Sequence, residues 1–285
     1  MRSLATTPLG ASAAPTASVP APPTTGVTWV ASLRRVLRFE ALTVWRTSNR
    51  WVVPLVIAAA AVLSVLTARY SPAILKQLVG EDLIGLLPGP SWQESYAQWV
   101  KNLSQLVIFA VILTGAGATS NLISSGRAQL LAVRPVTRWH QPVAAYIARL
   151  GVVAASICGA TLLTWGLTLI YFPEAPIGRL IAASAMWMAL AALMLAVSVG
   201  FSAWLGSTLA SAGATIGVYL VLSILSALPT LADHSPAGLI AAPTAIVAHG
   251  IAVSGQPILL PLLSSAVLAL IILSCGAWSF ARREL

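Results

Sequence analysis

The sequence predicts an all-α, polytopic membrane protein. It has six transmembrane helices, an N-terminal interfacial elbow helix and a broken external segment before the last span. Three observations carry this reading. Of 285 residues, 58% are hydrophobic and only 8% charged, against roughly 25% charged in a soluble domain, too few to cover the surface of a globule. No Asp, Glu, Lys or Arg occurs in the 53 residues from Leu180 to Ala232 or in the 48 from His234 to Ala281, and each run exceeds the roughly 20 apolar residues of one span. Finally, the 16 basic residues fall unevenly between the two sides that these spans define. A soluble enzyme, a nucleic-acid binder (despite the net charge of +9) and a disulfide-stapled secreted domain are all excluded. Cys158 and Cys275 lie inside apolar stretches and read as small core residues, neither metal ligands nor a bridge.

Residues 1–27 carry Pro8, Pro15, Pro20, Pro22 and Pro23 among Ala, Thr and Ser and read as a disordered tail. Arg2 is not followed by an uninterrupted apolar run, so the tail does not read as a signal peptide. Residues 28–50 place Val30, Leu33, Leu37, Ala41 and Val44 on one stripe, with Arg34, Arg35, Arg38 and Arg46 mostly off it. This is a basic amphipathic helix suited to a membrane surface. It is either an orientation anchor or an elbow that positions the first span against a partner.

The six-helix domain covers 51–285, with spans at about 51–68, 103–123, 150–172, 180–204, 212–228 and 258–280. Trp51, Trp99, Trp139, Trp204 and Trp278 lie near span ends as an aromatic belt, whereas Trp165 and Trp187 are mid-span packing residues. The external 69–102 loop is too interrupted to span and reads as a short interfacial helix on the outer face, either a plain connector or a lid over an exit path. Pro229, Pro236, Pro243 and Pro257 break the apolar 229–257 segment into a re-entrant or surface helical hairpin. His234 and His249 lie in it, without carboxylates at metal-ligand spacing.

With the N-terminus, 124–149, 205–211 and the C-terminus on one side, that side holds twelve basic residues and the other only Arg69, Lys76, Lys101 and Arg179. The positive-inside rule makes both termini cytoplasmic in a multi-pass protein of the cell membrane. Within the spans ionisable groups are absent, and Arg149 sits at the cytoplasmic edge, able to snorkel outward. That composition argues against an ion-coupled carrier, which places charges at membrane depth. It argues equally against an intramembrane hydrolase, which needs a nucleophile with a base or a metal cluster. No catalytic or metal-binding residues are therefore expected. Gly213 and Gly217 form a small-xxx-small pair that permits close helix approach, within one subunit or between two.

Between spans two and three runs Ser124-Ser-Gly-Arg-Ala-Gln-Leu-Leu-Ala-Val-Arg-Pro-Val-Thr-Arg138. It resembles the first intracellular segment of ABC-2 type transporter permeases, through Gly126, Leu130, Leu131, Pro135, Val136, Thr137 and Arg138. The closing Trp278-Ser-Phe-Ala-Arg-Arg-Glu-Leu285 is similar to that family's usual ending, and the architecture over 28–285 is similar as well. The resemblance implies that about 124–142 is a coupling segment docking on a separate ATPase. Where the family often carries an acid before the Gly, this chain has Ser124 and Ser125, which leaves the contact to Arg127, Arg134 or Arg138.

The chain has no P-loop, since its lysines, Lys76 and Lys101, follow Leu75 and Val100. It is not expected to be an enzyme or to bind a cofactor; ATP and Mg would sit on the ATPase. The resemblance further implies two ATPase subunits, a second copy or a homologous permease, no nucleic acid, and alternating-access export. An apolar cleft with Ser, Thr and Trp suits a hydrophobic or amphiphilic cargo such as a drug, antibiotic or lipid. The competing reading is a non-transporting sensor or immunity scaffold that binds a cytoplasmic partner through the same basic loop.

Overall fold

A computed structural model describes residues 29–47, 49–79, 91–124, 139–250 and 258–282. The predicted tail at 1–27 and most of the coupling segment lie outside them. The helices are α1 (Trp29–Arg46), α2 (Asn49–Val79), α3 (Trp92–Asn102), α4 (Ile108–Ser124), α5 (His140–Tyr171), α6 (Ile177–Leu205), α7 (Thr208–Leu225), α8 (Pro229–His234), α9 (Gly238–His249) and α10 (Leu259–Arg282). Among the described residues there is no strand, and six helical stretches are long and apolar enough to cross a membrane. The chain is an all-α polytopic membrane protein. Its outward faces carry Leu209, Ile170, Ile224 and Leu259 fully in the open, a surface that suits lipid rather than water.

The spans run 51–71, 92–124, 140–171, 177–205, 208–225 and 259–282. Two begin about ten residues earlier than the sequence predicts. The second takes in 92–102, expected in an external loop. Ser91 caps α3 by accepting a bond from the Glu94 backbone N–H at 3.4 Å, so Ser-x-x-Glu opens the helix. α3 then passes into α4 through one π-helical turn, Leu103–Val107. There the Tyr219 hydroxyl of α7 donates to the Ser104 carbonyl at 2.9 Å, satisfying backbone in the wider turn. Trp99, expected in an interfacial belt, is wholly buried and donates its indole N–H to Ser184 Oγ at 3.1 Å. Trp51, Trp139, Trp204 and Trp278 are exposed near span ends, as a belt requires, and Trp187 is in the core.

α6 is the central helix: 67% of its most apolar window is buried, against 28–50% for the other five spans. It is joined to α4 by hydroxyls. Ser198 Oγ donates to the Ile112 carbonyl at 2.6 Å; Ser202 Oγ donates to the Ala116 carbonyl at 2.7 Å and accepts from the Ser120 N–H at 2.9 Å. Small residues permit the approach. A methyl on Gly115 would lie 2.7 Å from Ser198 Cβ, and one on Gly276 of α10 would lie 2.8 Å from Gly200 Cα of α6. At Gly213 and Gly217, the pair that the spacing singles out, an added methyl would meet nothing within 4 Å among the described residues. The motif marks small residues at helical spacing, but α7 turns Ser211, Ala212, Thr215, Tyr219 and Leu222 inward instead.

α6 ends at Gly206, whose φ of 70° a side chain would strain, and Ser207 at once caps α7. Within the proline-rich 229–257 segment the described residues form two short helices, α8 and α9, packed on the bundle. α1, the ends of α4, α6 and α10, and the starts of α5 and α7 share one end of the bundle, here called the arginine-rich end. Leu122, Ala203 and Phe280 pack together there.

Candidate functional site

The feature most unlike a plain lipid-facing bundle lies at the arginine-rich end, where α1 meets α5. α1 buries Ser32, Val36, Glu40 and Val44, four residues at i, i+4 spacing and hence on one face. That face is not the stripe read from hydrophobicity. Of the predicted residues Val44 is buried, Leu33 and Leu37 are half-buried, Ala41 is exposed, and the Val30 side chain lies outside the described residues. The partner explains the rotation. α5 presents His140, Gln141 and Arg149 to α1, so the mixed polar face of α1 turns inward, and Phe39, Leu42 and Trp45 are left outside among the arginines.

Arg149 is 7% exposed and Glu40 2%. Arg149 Nη1 donates to Glu40 Oε2 at 3.1 Å and to the Ala145 carbonyl at 3.0 Å, while Nε donates to the Thr114 carbonyl of α4 at 3.2 Å. Gln141 Nε2 donates to the other carboxylate oxygen of Glu40. Two turns earlier on α1, Ser32 Oγ and His140 Nδ1 are 3.1 Å apart. The cluster therefore ties α1, α4 and α5 together at one point, with charge compensated and the carboxylate accepting at both oxygens.

Two sequence expectations are corrected here. Arg149 does not snorkel outward, and ionisable groups are not absent from the spans, because Arg149 sits nine residues into α5, a spanning helix. Burial is tolerable because Glu40 is delivered by α1 and because a guanidinium can satisfy two carbonyls besides a carboxylate. Sequence reasoning also missed Glu40, Gln141 and His140.

Of the predicted coupling segment, Gly126, Arg127, Leu130, Leu131, Arg134, Pro135, Val136, Thr137 and Arg138 lie outside the described residues. Its two anchor points are described: α4 ends at Ser124, and α5 begins at His140. The segment's last predicted residues, 140–142, are thus the start of α5, and two of them, His140 and Gln141, join the buried cluster.

A groove of about 430 Å3 lies between α5 and α6, lined by aliphatic side chains with Thr161, Ser184 and Cys158. Ser184 is also where Thr161 Oγ1, at 3.1 Å, and the Trp99 indole meet, so an apolar groove has a small polar floor. Both cysteines are free and exposed, which corrects their expected place in the core: they line lipid-facing grooves where a small apolar side chain suits either environment. Among the described residues no three His, Cys, Asp or Glu side chains are grouped as metal ligands. His234 is exposed, its Nδ1 3.0 Å from the Thr230 carbonyl.

Residues 92–285 match the family described as protein of unknown function (DUF2705). The chain belongs to that family. No curated protein matches the chain. The DUF2705 match begins at the first residue of α3, so it takes in Gln141 and Arg149 and leaves out α1 with Glu40. The family's description carries no activity, and function rests on the site.

Proposed function

We propose that this DUF2705 member is the membrane-spanning permease subunit of an ATP-binding cassette exporter of the ABC-2 type. It sits in the cell membrane with both termini cytoplasmic and moves a hydrophobic or amphiphilic cargo outward. The observation that carries the reading is the buried Glu40–Arg149–Gln141 cluster. It fixes the elbow helix to the first turns of the helix that directly follows the 124–142 segment, and through the Thr114 carbonyl to the helix that precedes it. A push delivered to that segment from outside the membrane would therefore move α1, α4 and α5 together. Such a rigid connection suits a protein driven by a partner at its arginine-rich end.

In this reading a separate ATPase, present in two copies, supplies the energy, with ATP and Mg bound there, and a second copy or a homologous permease completes the transporter. Arg127, Arg134 and Arg138 meet an acidic surface of the ATPase. The α5–α6 groove, apolar with two hydroxyls, offers a wall for the cargo.

The test is co-purification with the cognate ATPase together with a cargo-efflux assay. Arg134→Glu with Arg138→Glu is expected to abolish ATPase retention and export while the permease still folds and inserts. Full retention and export by the double variant would overturn the docking role. A permease that never retains an ATPase would favour the sensor or scaffold reading. A cysteine at Glu94 that an impermeant reagent fails to label in intact cells would overturn the orientation.

A further inference from the structure

The α6–α10 contact leaves a second groove, unrelated to the polar cluster. Gly200 and Gly276 bring the two backbones together, and beside that contact, on the outer side of the bundle, lies an open space of about 370 Å3. Its walls are Phe201, Trp204, Ile271, Cys275 and Trp278. At its mouth Arg282 lies over the Trp278 ring with its guanidinium carbon 4.0 Å from the centroid. Arg282 is exposed, no carboxylate lines the groove, and no described carboxylate pairs with that guanidinium.

We propose that this groove is a binding site for an anionic phospholipid. One acyl chain lies along the apolar walls, and the phosphate sits on Arg282. Depth and chemistry agree. The groove runs along the last turns of two spanning helices, so a chain in it is parallel to its neighbours in the leaflet. Arg282, at the final residue of α10, stands at headgroup level, where a basic side chain between spans attracts lipid phosphate. The stacking on Trp278 holds the guanidinium above the groove while leaving its N–H groups to donate. A zwitterionic lipid would fill the walls equally well, so the charge, not the cavity, sets the preference. The site depends neither on an ATPase nor on a cargo and stands if the permease reading fails.

Native mass spectrometry of the full chain, with phosphatidylglycerol and phosphatidylcholine as probes, tests this. The wild type is expected to retain one phosphatidylglycerol in preference to phosphatidylcholine. Arg282→Gln should lower that preference about five-fold, Arg282→Lys should restore most of it, and Arg34→Gln, exposed on α1 at the same end, should leave it unchanged. Cys275→Trp fills the groove and should remove the bound lipid of either kind. An unchanged preference in Arg282→Gln overturns the proposal. So does an equal loss in Arg34→Gln, which would mean diffuse attraction to the whole basic end. If Cys275→Trp fails to fold, the Gln and Lys variants at Arg282 still decide.

Discussion

Removing Glu40 should destabilise the bundle more than any exposed charge on α1, and the structure sets the scale. At 3.1 Å and an effective dielectric of about 20, the pair attracts with roughly 5 kcal/mol. Desolvating both groups takes back much of that, so the net worth of the pair is small. The loss on removing one partner is not small, because the other charge remains buried. Arg149 in Glu40→Ala keeps two carbonyls, from Ala145 and Thr114, which soften the penalty and place it near the lower end of the ~3–5 kcal/mol typical of a broken buried pair. In Arg149→Ala the Glu40 carboxylate keeps only the amide of Gln141 from this cluster, so its penalty should be the larger. Glu40→Leu with Arg149→Met leaves no buried charge and should lose less than either single variant. Thermal unfolding in detergent micelles gives these values, and a cycle closed with Glu40→Leu and Arg149→Met as its single variants gives the coupling. Single losses below about 1 kcal/mol, or additivity of the two, would refute the claim that the pair is buried and closed to water.

Glycine positions give a second test: Gly276→Ala forces the α6 and α10 backbones apart and should cost about 1–3 kcal/mol, whereas Gly213→Ala and Gly217→Ala, with open space around them, should be neutral or slightly stabilising by thermal unfolding of the single chain. Ser202→Ala removes the hydroxyl that bonds the Ala116 carbonyl and the Ser120 N–H of α4. The expected loss, read in the same assay, is about 0.6–1.7 kcal/mol.

The spanning helices were legible because their signal is local. Charge-free runs of 53 and 48 residues admit no other reading, and Gly206-Ser207 announces the turn between α6 and α7. The start of α5 was placed late because His140, Gln141 and Arg149 look like loop residues until a partner for them is known. That partner, Glu40, is 109 residues from Arg149, and nothing in a single sequence connects them. Hydrophobicity misplaced the inward face of α1 for the same reason: its buried stripe contains a serine and a glutamate. Trp99 was misassigned because an interfacial and a buried tryptophan have the same composition signature; a neighbouring Ser-x-x-Glu cap, which lengthens the helix, was the available clue. The GATIG spacing permits close approach but does not say to what.

The Glu40–Arg149 pair also dictates an order of events during synthesis. α1 and the first two spans leave the ribosome before α5 exists, and at 5–20 residues per second the carboxylate waits roughly 5–20 s for its guanidinium. During that interval α1 has no reason to turn Glu40 toward the bilayer and should stay at the aqueous boundary. The helix reaches its final place only when the third span inserts, so the N-terminal segment, first to be made, is among the last to be locked. Nascent chains stalled before residue 140 should therefore leave Glu40 open to water, and chains stalled beyond α5 should not.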